Sequence, residues 1–394
     1  MTKINENILP LTGSQAVAEA MRQINPGVVA MYPITPQTPI VETFAKYHAD
    51  GLVDTEIIRV ESEHSAMSAV LGASASGVRA MTATSSNGLE LMHEVVAATP
   101  GMRLPIVMPI VNRAVSSPIN IHCDHSDSMA CRDLGWIQIF SETAQEAYEN
   151  TLLALRLSEK CLFPSMVMQD GFITSHSVEN VEIFSDSKIK KFIGQYNPKN
   201  PLLNIDKPVT YGPLELPDYY FETKYQEAEG FECIIDEYTK IGKELSEITG
   251  SKYPLFEGYK IKDAEVILIV LSSSAGTVKE VVEKYRKEGK KVGVLKPKLF
   301  RPFPYKEIYK AISHAKVVGV MDRSMARGAF PPLASDIKIA INTYKEGKNI
   351  PDVVSHIFGL GGRDLFKKDV EIIFDNLLNN KYNITKIDYI GVRK

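Results

Sequence analysis

The chain has 394 residues, of which 44% are hydrophobic and 24% charged, and a formal net charge of -3. That length allows two or three domains around a large core, and that balance belongs to an ordinary globular protein. The near-neutral charge excludes a basic nucleic-acid surface and an acidic tail, and no apolar run approaches the ~20 residues of a membrane span, so neither nucleic acid nor membrane is expected as a partner.

The opening stretch MTKINENILPLTG has no apolar core and no small-residue cleavage pattern, so no signal peptide is read and a cytoplasmic chain is expected. Gly13–Gln23 is patterned as a helix with Ser14 near its N-cap. Val28–Tyr32 is a short apolar run closed by Pro33, which reads as a strand. Glu63–Ser76 is rich in Ala and Ser and predicts a tightly packed helix. Further strands are predicted at Ala80–Thr84, Leu104–Val111 and Ser165–Gln169, and further helices at Asn87–Ala98 and Ala144–Cys161. This alternation implies a parallel sheet with helices on both faces.

Residues 191–262 differ, with many prolines, charges and tyrosines and one helical stretch around Cys233–Ile248. They read as an interdomain segment whose aromatics should pack. From Asp263 a second α/β pattern begins. It has strands at Val266–Leu271, Lys291–Leu295 and Ala315–Met321, a helix at Thr277–Lys287 and a turn at Arg301–Pro304. The expected division is residues 1–190, 191–262 and 263–394, with a doubly wound domain at each end.

The four cysteines, Cys123, Cys131, Cys161 and Cys233, include no C-x-x-C pair. Their spacing fits neither an iron–sulfur cluster nor structural zinc, so four reduced thiols are expected.

Five stretches could carry chemistry. Tyr32–Pro39, YPITPQTP, follows a strand at the carboxyl edge of the sheet, where open α/β folds bind ligands. Its prolines stiffen a loop that offers the hydroxyls of Thr35 and Thr38; it also reads as a plain turn with Thr38 capping a helix. Val60–Met67, VESEHSAM, places Glu61, Glu63 and His64 before an apolar helix. A buried carboxylate there needs a partner, although simple capping by Glu61 or Glu63 would also explain it. Thr82–Gly88, TATSSNG, allows close approach to a ligand or serves as a Ser-rich N-cap. Arg113 stands just past a buried strand and suits a planar carboxylate. His122, Asp124, His125 and Asp127 could ligate a metal or simply hold their loop together. Phe358–Asp364, FGLGGRD, lacks the full dinucleotide fingerprint.

In this order, AMYPITPQTP, RVESEHSAMSAVLGASASG, MTATSSNGL, MRLPIVM, NRAVSSPINI, DHSDSMACRDLGWIQ and GLGGRD resemble the α subunits of pyruvate:ferredoxin oxidoreductases. The resemblance implies a pyrimidine-binding-type first domain and a transketolase C-terminal-like second domain. It implies thiamine diphosphate shared with a β subunit, γ and δ subunits completing the assembly, and Mg²⁺ and [4Fe-4S] clusters held by partner chains, none by this one. The implied reaction is oxidative decarboxylation of pyruvate with coenzyme A, electrons leaving to ferredoxin. By the family's pattern Glu63 faces N1′ of the aminopyrimidine, where a carboxylic acid favours the imino form that takes the C2 proton. Thr35 matches the threonine that hydrogen-bonds the 2-oxoacid and Arg113 the arginine that binds its carboxylate. Tyr32 and Pro33 would contact the cofactor ring. His122 departs from the aromatic residue common there, which leaves the choice among pyruvate, branched-chain acids, 2-oxoglutarate and oxalate open. A non-catalytic scaffold is the other class of reading, and it requires Glu63, Thr35 and Arg113 to lie far apart.

Overall fold

Buried parallel strands read as continuous apolar runs because both faces are covered, and that is what VVAM, VMPIVN and VILIV become in this chain. A computed structural model describes residues 7–345 and 350–393. In chain order its strands are β1 (Ile8–Thr12), β2 (Val28–Met31), β3 (Glu56–Arg59), β4 (Ala80–Met81), β5 (Val107–Asn112), β6 (Ile137–Phe140), β7 (Ser165–Asp170) and β8 (Val178–Glu182). They continue as β9 (Phe256–Tyr259), β10 (Val266–Val270), β11 (Val292–Pro297), β12 (Leu299–Arg301), β13 (Val317–Asp322), β14 (Asp352–Ile357) and β15 (Ile387–Tyr389).

The first sheet runs β12-β6-β7-β5-β4-β2-β3 and the second β15-β14-β13-β10-β11-β9, while β1 and β8 form a small antiparallel pair. Within the first sheet every pairing is parallel except β12 with β6, and in the second only β9 with β11 is antiparallel. The expected α/β architecture is therefore present in both halves.

Side chains alternate across the first sheet with the period of a strand. Val29, Val107 and Val111 face the helices Gly13–Ile24 and Ala144–Cys161. Ala30, Met108, Ile110 and Met168 face the other way, toward Met67 and Val70 of the helix Glu63–Ser76. That second core layer continues without a break into Ile267, Leu295, Phe300 and Val320 of the second half. Lys296, almost fully buried, adds an ionic tie: it pairs with Glu142, with Glu146 at 2.9 Å and with Glu257 at 3.0 Å.

Several expectations need correction. Thr12, not Ser14, caps the first helix, in a reciprocal box with Gln15. The stretch expected as one helix over Asn87–Ala98 is two, Ser86–Leu91 and His93–Gly101, interrupted at Met92. Residues 191–262 hold more structure than one helix: Asp186–Ile193 runs into them, and Pro217–Phe231 precedes Ile234–Thr249. Their aromatics do not all pack, because Tyr219, Tyr220, Phe221 and Tyr225 are exposed. The four cysteines are free thiols, with Cys161 and Cys233 Sγ 3.7 Å apart.

Candidate active site

Strand β2 has β3 on one side and β4 on the other, so the chain reverses its direction of travel across the sheet there. Such a switch opens a crevice at the carboxyl edge. The loop after β2 carries Tyr32–Gln37 and the loop after β4 carries Thr82–Ser85. The helix Glu63–Ser76 crosses from β3 over β2 to β4 and so brings its first residue to the same edge.

Ser62 is the N-cap of that helix and accepts from the Ser65 backbone N–H at 3.2 Å. With capping done by Ser62, neither glutamate is needed for it. Glu61 is exposed, and its bond from the Ser65 hydroxyl holds its carboxyl below the ordinary range. Glu63 occupies the first helical position, where its negative charge faces the positive end of the helix. It is only 6% exposed, and its side chain has no hydrogen-bond or ion-pair partner among the described residues. A Cβ on Gly88 would stand 2.7 Å from Glu63 Oε1 and 2.5 Å from Thr84 Oγ1. A side chain there would displace the carboxylate, which leans on the Gly88 backbone. Thr84 Oγ1 is itself buried without a partner.

Arg113 follows β5 and is 7% exposed. Its Nη1 donates to the Thr35 carbonyl at 2.8 Å and its Nε to the Asn120 carbonyl at 3.1 Å. Nη2 has no partner among the described residues. Burial lowers the pKa of Arg113, while the charges of Asp127 and then Glu63 oppose that shift. Arg113 thus bonds the Thr35 backbone and lies within electrostatic reach of Glu63, so the three gather at one sheet edge rather than far apart as the scaffold reading requires. Pro33 and Thr35 are exposed at its mouth and Tyr32 is half-buried beside them.

The HCDHSD loop is a framework. Asp127 accepts from Asn112 Nδ2 at 2.7 Å and from the backbone N–H groups of Ser86 and Arg113 at 3.0 Å each. One carboxylate thus binds the TATSSNG loop to the arginine loop; burial raises its pKa to about 6. Asp124 accepts from the Ser126 backbone at 3.0 Å and from Gly361 N at 3.3 Å. His125 Nε2 lies 2.8 Å from Asp170, which also meets Arg323 Nη1 at 3.2 Å and the Ser273 hydroxyl. The His122 side chain has no hydrogen-bond partner among the described residues and its ring lies 5.1 Å from that of Phe172, while its backbone accepts from Ala114 N at 3.0 Å and donates to Asn120 Oδ1 at 2.7 Å. FGLGGRD docks on the loop: Gly362 N donates to the Cys123 carbonyl at 2.7 Å, and Gly362, at φ 80°, has no room for a Cβ beside His122.

Sequence reasoning passed over Asp170, Arg323 and Ser273. Asp170 ends an apolar strand run, as Asn112 and Arg113 follow one, which is the signal that was available. Arg323 lies 153 residues from its partner in sequence, and only the fold joins them.

The crevice fits the pyrimidine half of thiamine diphosphate. A buried carboxylate without a partner among the described residues suits a ring nitrogen, and the enclosed Thr84 hydroxyl stands near it at Gly88. Two groups of potential metal donors occur among the described residues. Cys123, His125 and Asp170 converge, as do Glu142, Glu146 and Glu257. Arg323 and Ser273 engage the first group, and Lys279, Lys296 and Lys298 the second.

Residues 19–240 match the family model described as pyruvate flavodoxin/ferredoxin oxidoreductase, thiamine diphosphate-binding. Residues 264–370 match pyruvate:ferredoxin oxidoreductase core domain II. The chain is 51% identical to pyruvate synthase subunit PorA of Thermotoga maritima over 100% of both chains. It is 39% identical to ketoisovalerate oxidoreductase subunit VorA of Pyrococcus horikoshii over 93% of both. In fold it is similar to the 2-oxoglutarate:ferredoxin oxidoreductase of Magnetococcus marinus, with TM-score 0.70 and 20% identity over 95% of this chain. It spans 65% of that solved chain. A split-gene transketolase is similar at TM-score 0.57 and 13% identity, over 94% of this chain and 99% of that one. No helix among the described residues is long and apolar enough to cross a membrane.

Proposed function

The chain belongs to the pyruvate:ferredoxin oxidoreductase family, and from that premise we propose that it supplies the pyrimidine side of a thiamine diphosphate site for oxidising pyruvate. The observation that carries this is Glu63, a buried carboxylate without a protein partner, leaning on Gly88 at the mouth of a switch-point crevice.

When bound, thiamine diphosphate supplies the carbon nucleophile that adds to the 2-oxo group and accepts the electron pair released with CO₂. Glu63 holds the proton at N1′ of the aminopyrimidine. Its burial keeps water from competing for that contact. Arg113 offers its free Nη2 to the substrate carboxylate while Nη1 and Nε fix the guanidinium on backbone carbonyls. Orienting the carboxylate in this way aligns the bond to be broken. The Thr35 backbone is held by Arg113, and its hydroxyl would donate to the 2-oxo oxygen, while Tyr32 and Pro33 would contact the cofactor ring.

The proposal includes a β subunit carrying the diphosphate and Mg²⁺ side, γ and δ subunits, [4Fe-4S] clusters outside this chain, coenzyme A as acyl acceptor and ferredoxin as electron acceptor in the cytoplasm. It also keeps residues 1–190 and 263–394 as the two domains joined by 191–262. Strands β9 and β12 blur that division, since each is drawn into a sheet from beside or across the boundary.

The test is a substrate panel on the complex co-purified with a tagged form of this chain, following viologen reduction with coenzyme A and thiamine diphosphate. A preference for pyruvate over 2-oxoisovalerate, 2-oxoglutarate and oxalate is expected. The same chemistry on a branched-chain acid is the second reading, favoured by the 39% identity to the ketoisovalerate subunit. A complex that contains cofactor and clusters yet oxidises none of these acids would overturn both.

A further inference from the structure

The helix Pro217–Phe231 is amphipathic in the wrong direction for a helix whose only neighbour is its own domain. None of its residues is buried. Thr223, Glu227, Gly230 and Phe231 turn toward the body. Gly230 lies against the Arg103 guanidinium, where a Cβ would stand 2.8 Å from Nη1, and the Phe231 ring meets Phe163 at 4.6 Å. The opposite stripe carries Phe221 and Tyr225, one turn apart and both in solvent. The loop before the helix adds Leu203, Ile205, Leu214 and Leu216. All six side chains are between 60% and 93% exposed. Loop and helix lie side by side, because residues 198–201, 210–213, Glu215 and Thr223 line one cavity of 280 Å³.

Aromatic side chains carry roughly 150–250 Å² each, so Phe221 and Tyr225 at these exposures place roughly 200–350 Å² of apolar surface in water, and the four aliphatic side chains add to it. A typical monomer's largest patch is ~300–600 Å². The helix also bears four carboxylates, Asp218, Glu222, Glu227 and Glu229, against one lysine, Lys224. Two copies of so acidic a helix would repel each other.

We propose that Leu203–Tyr225 is the docking face for a different subunit of the same complex, one presenting an apolar groove rimmed by lysine or arginine. This rests on the reading that the chain works with partner subunits. The face lies at the far end of the sheet from Glu63. Gly77, which closes the helix that Glu63 opens, packs on Pro198 and Pro201, and 14 residues of helix, ~21 Å, separate the two ends. Docking here is therefore structurally separate from the cofactor crevice.

The test compares co-expressed complexes by native mass spectrometry during dilution. One variant is Phe221→Asp with Tyr225→Asp. A second is Leu203→Asp with Leu214→Asp, which leaves the helix untouched. Both should lose a partner subunit at a protein concentration about 30-fold or more above the wild-type midpoint, with the melting curve of the free chain unchanged. Glu222→Lys with Glu229→Lys should weaken the same step. Wild-type composition and midpoint in both apolar variants would overturn the proposal. So would a homodimer of this chain that the substitutions split, or tighter assembly in the lysine variant. Composition is read by mass, so a wild-type complex inactive on every 2-oxoacid would sink the functional reading and leave this one standing.

Discussion

Two buried carboxylates sit at the same edge of the first sheet in opposite circumstances. Asp170 is fully enclosed and meets His125, Arg323 and Ser273, which together hold its pKa well below the ordinary carboxylate range. Glu63 is 6% exposed, and its side chain has no hydrogen-bond or ion-pair partner among the described residues. A buried carboxylate without a partner is costly, and that cost is the ground for the role proposed for Glu63. The saturated carboxylate joins the two halves; the unsaturated one faces the crevice.

The sharpest test of this contrast is Glu63→Gln in the assembled complex. It should lower kcat by ~10²–10⁴-fold while the melting temperature stays near wild type; turnover close to wild type would remove Glu63 from the chemistry. Asp170→Ala should do the reverse and destabilise the chain by ~3–5 kcal/mol in denaturant unfolding, because Arg323 is left buried and unpaired. An unchanged midpoint would mean that the junction is held elsewhere.

Arg113→Ala stands between these extremes. Losing a charged hydrogen bond to substrate should cut kcat/KM for pyruvate by ~10–100-fold, with a higher KM and a lower kcat. Arg113→Lys should recover little, since an ammonium cannot span both carbonyls and a carboxylate. Equal kinetics in all three proteins would place the substrate elsewhere.

The smallest effect concerns Asp322 at the end of β13, which accepts from the backbone N–H groups of Leu333 and Ala334 at 2.8 and 3.1 Å. Burial raises its pKa to about 7. A raised carboxyl favours the protonated folded state, so its contribution is present below the unfolded value near ~3.9 and is lost as pH rises to about 7. Unfolding followed between those limits should flatten in Asp322→Asn; an unchanged slope would assign the dependence to Asp127, raised by the same cause.

Much of this was legible from local pattern. The helices Glu63–Ser76 and Ala144–Cys161 fall where the sequence placed them, because Ser62 and Thr143 cap their starts and Gly77 and Leu162, both left-handed, stop them. The loops that line the crevice were legible as well, since each follows an apolar run. The Asp170–Arg323 pair was not, because it depends on how two sheets meet. Nor was the helix Pro217–Phe231, whose aromatic stripe faces outward and so gives no core-facing period.

The three residues of β12 carry a consequence for dissection of the chain. They come from the second half, yet they pair with Ile139 and Gln138 and close the first sheet along β6. A fragment ending at the interdomain segment would bare that edge as a row of unsatisfied amides, a template for strand addition by any neighbour. Such a fragment should aggregate even though its own core residues are all present, and the two halves would have to be produced together to remain in solution.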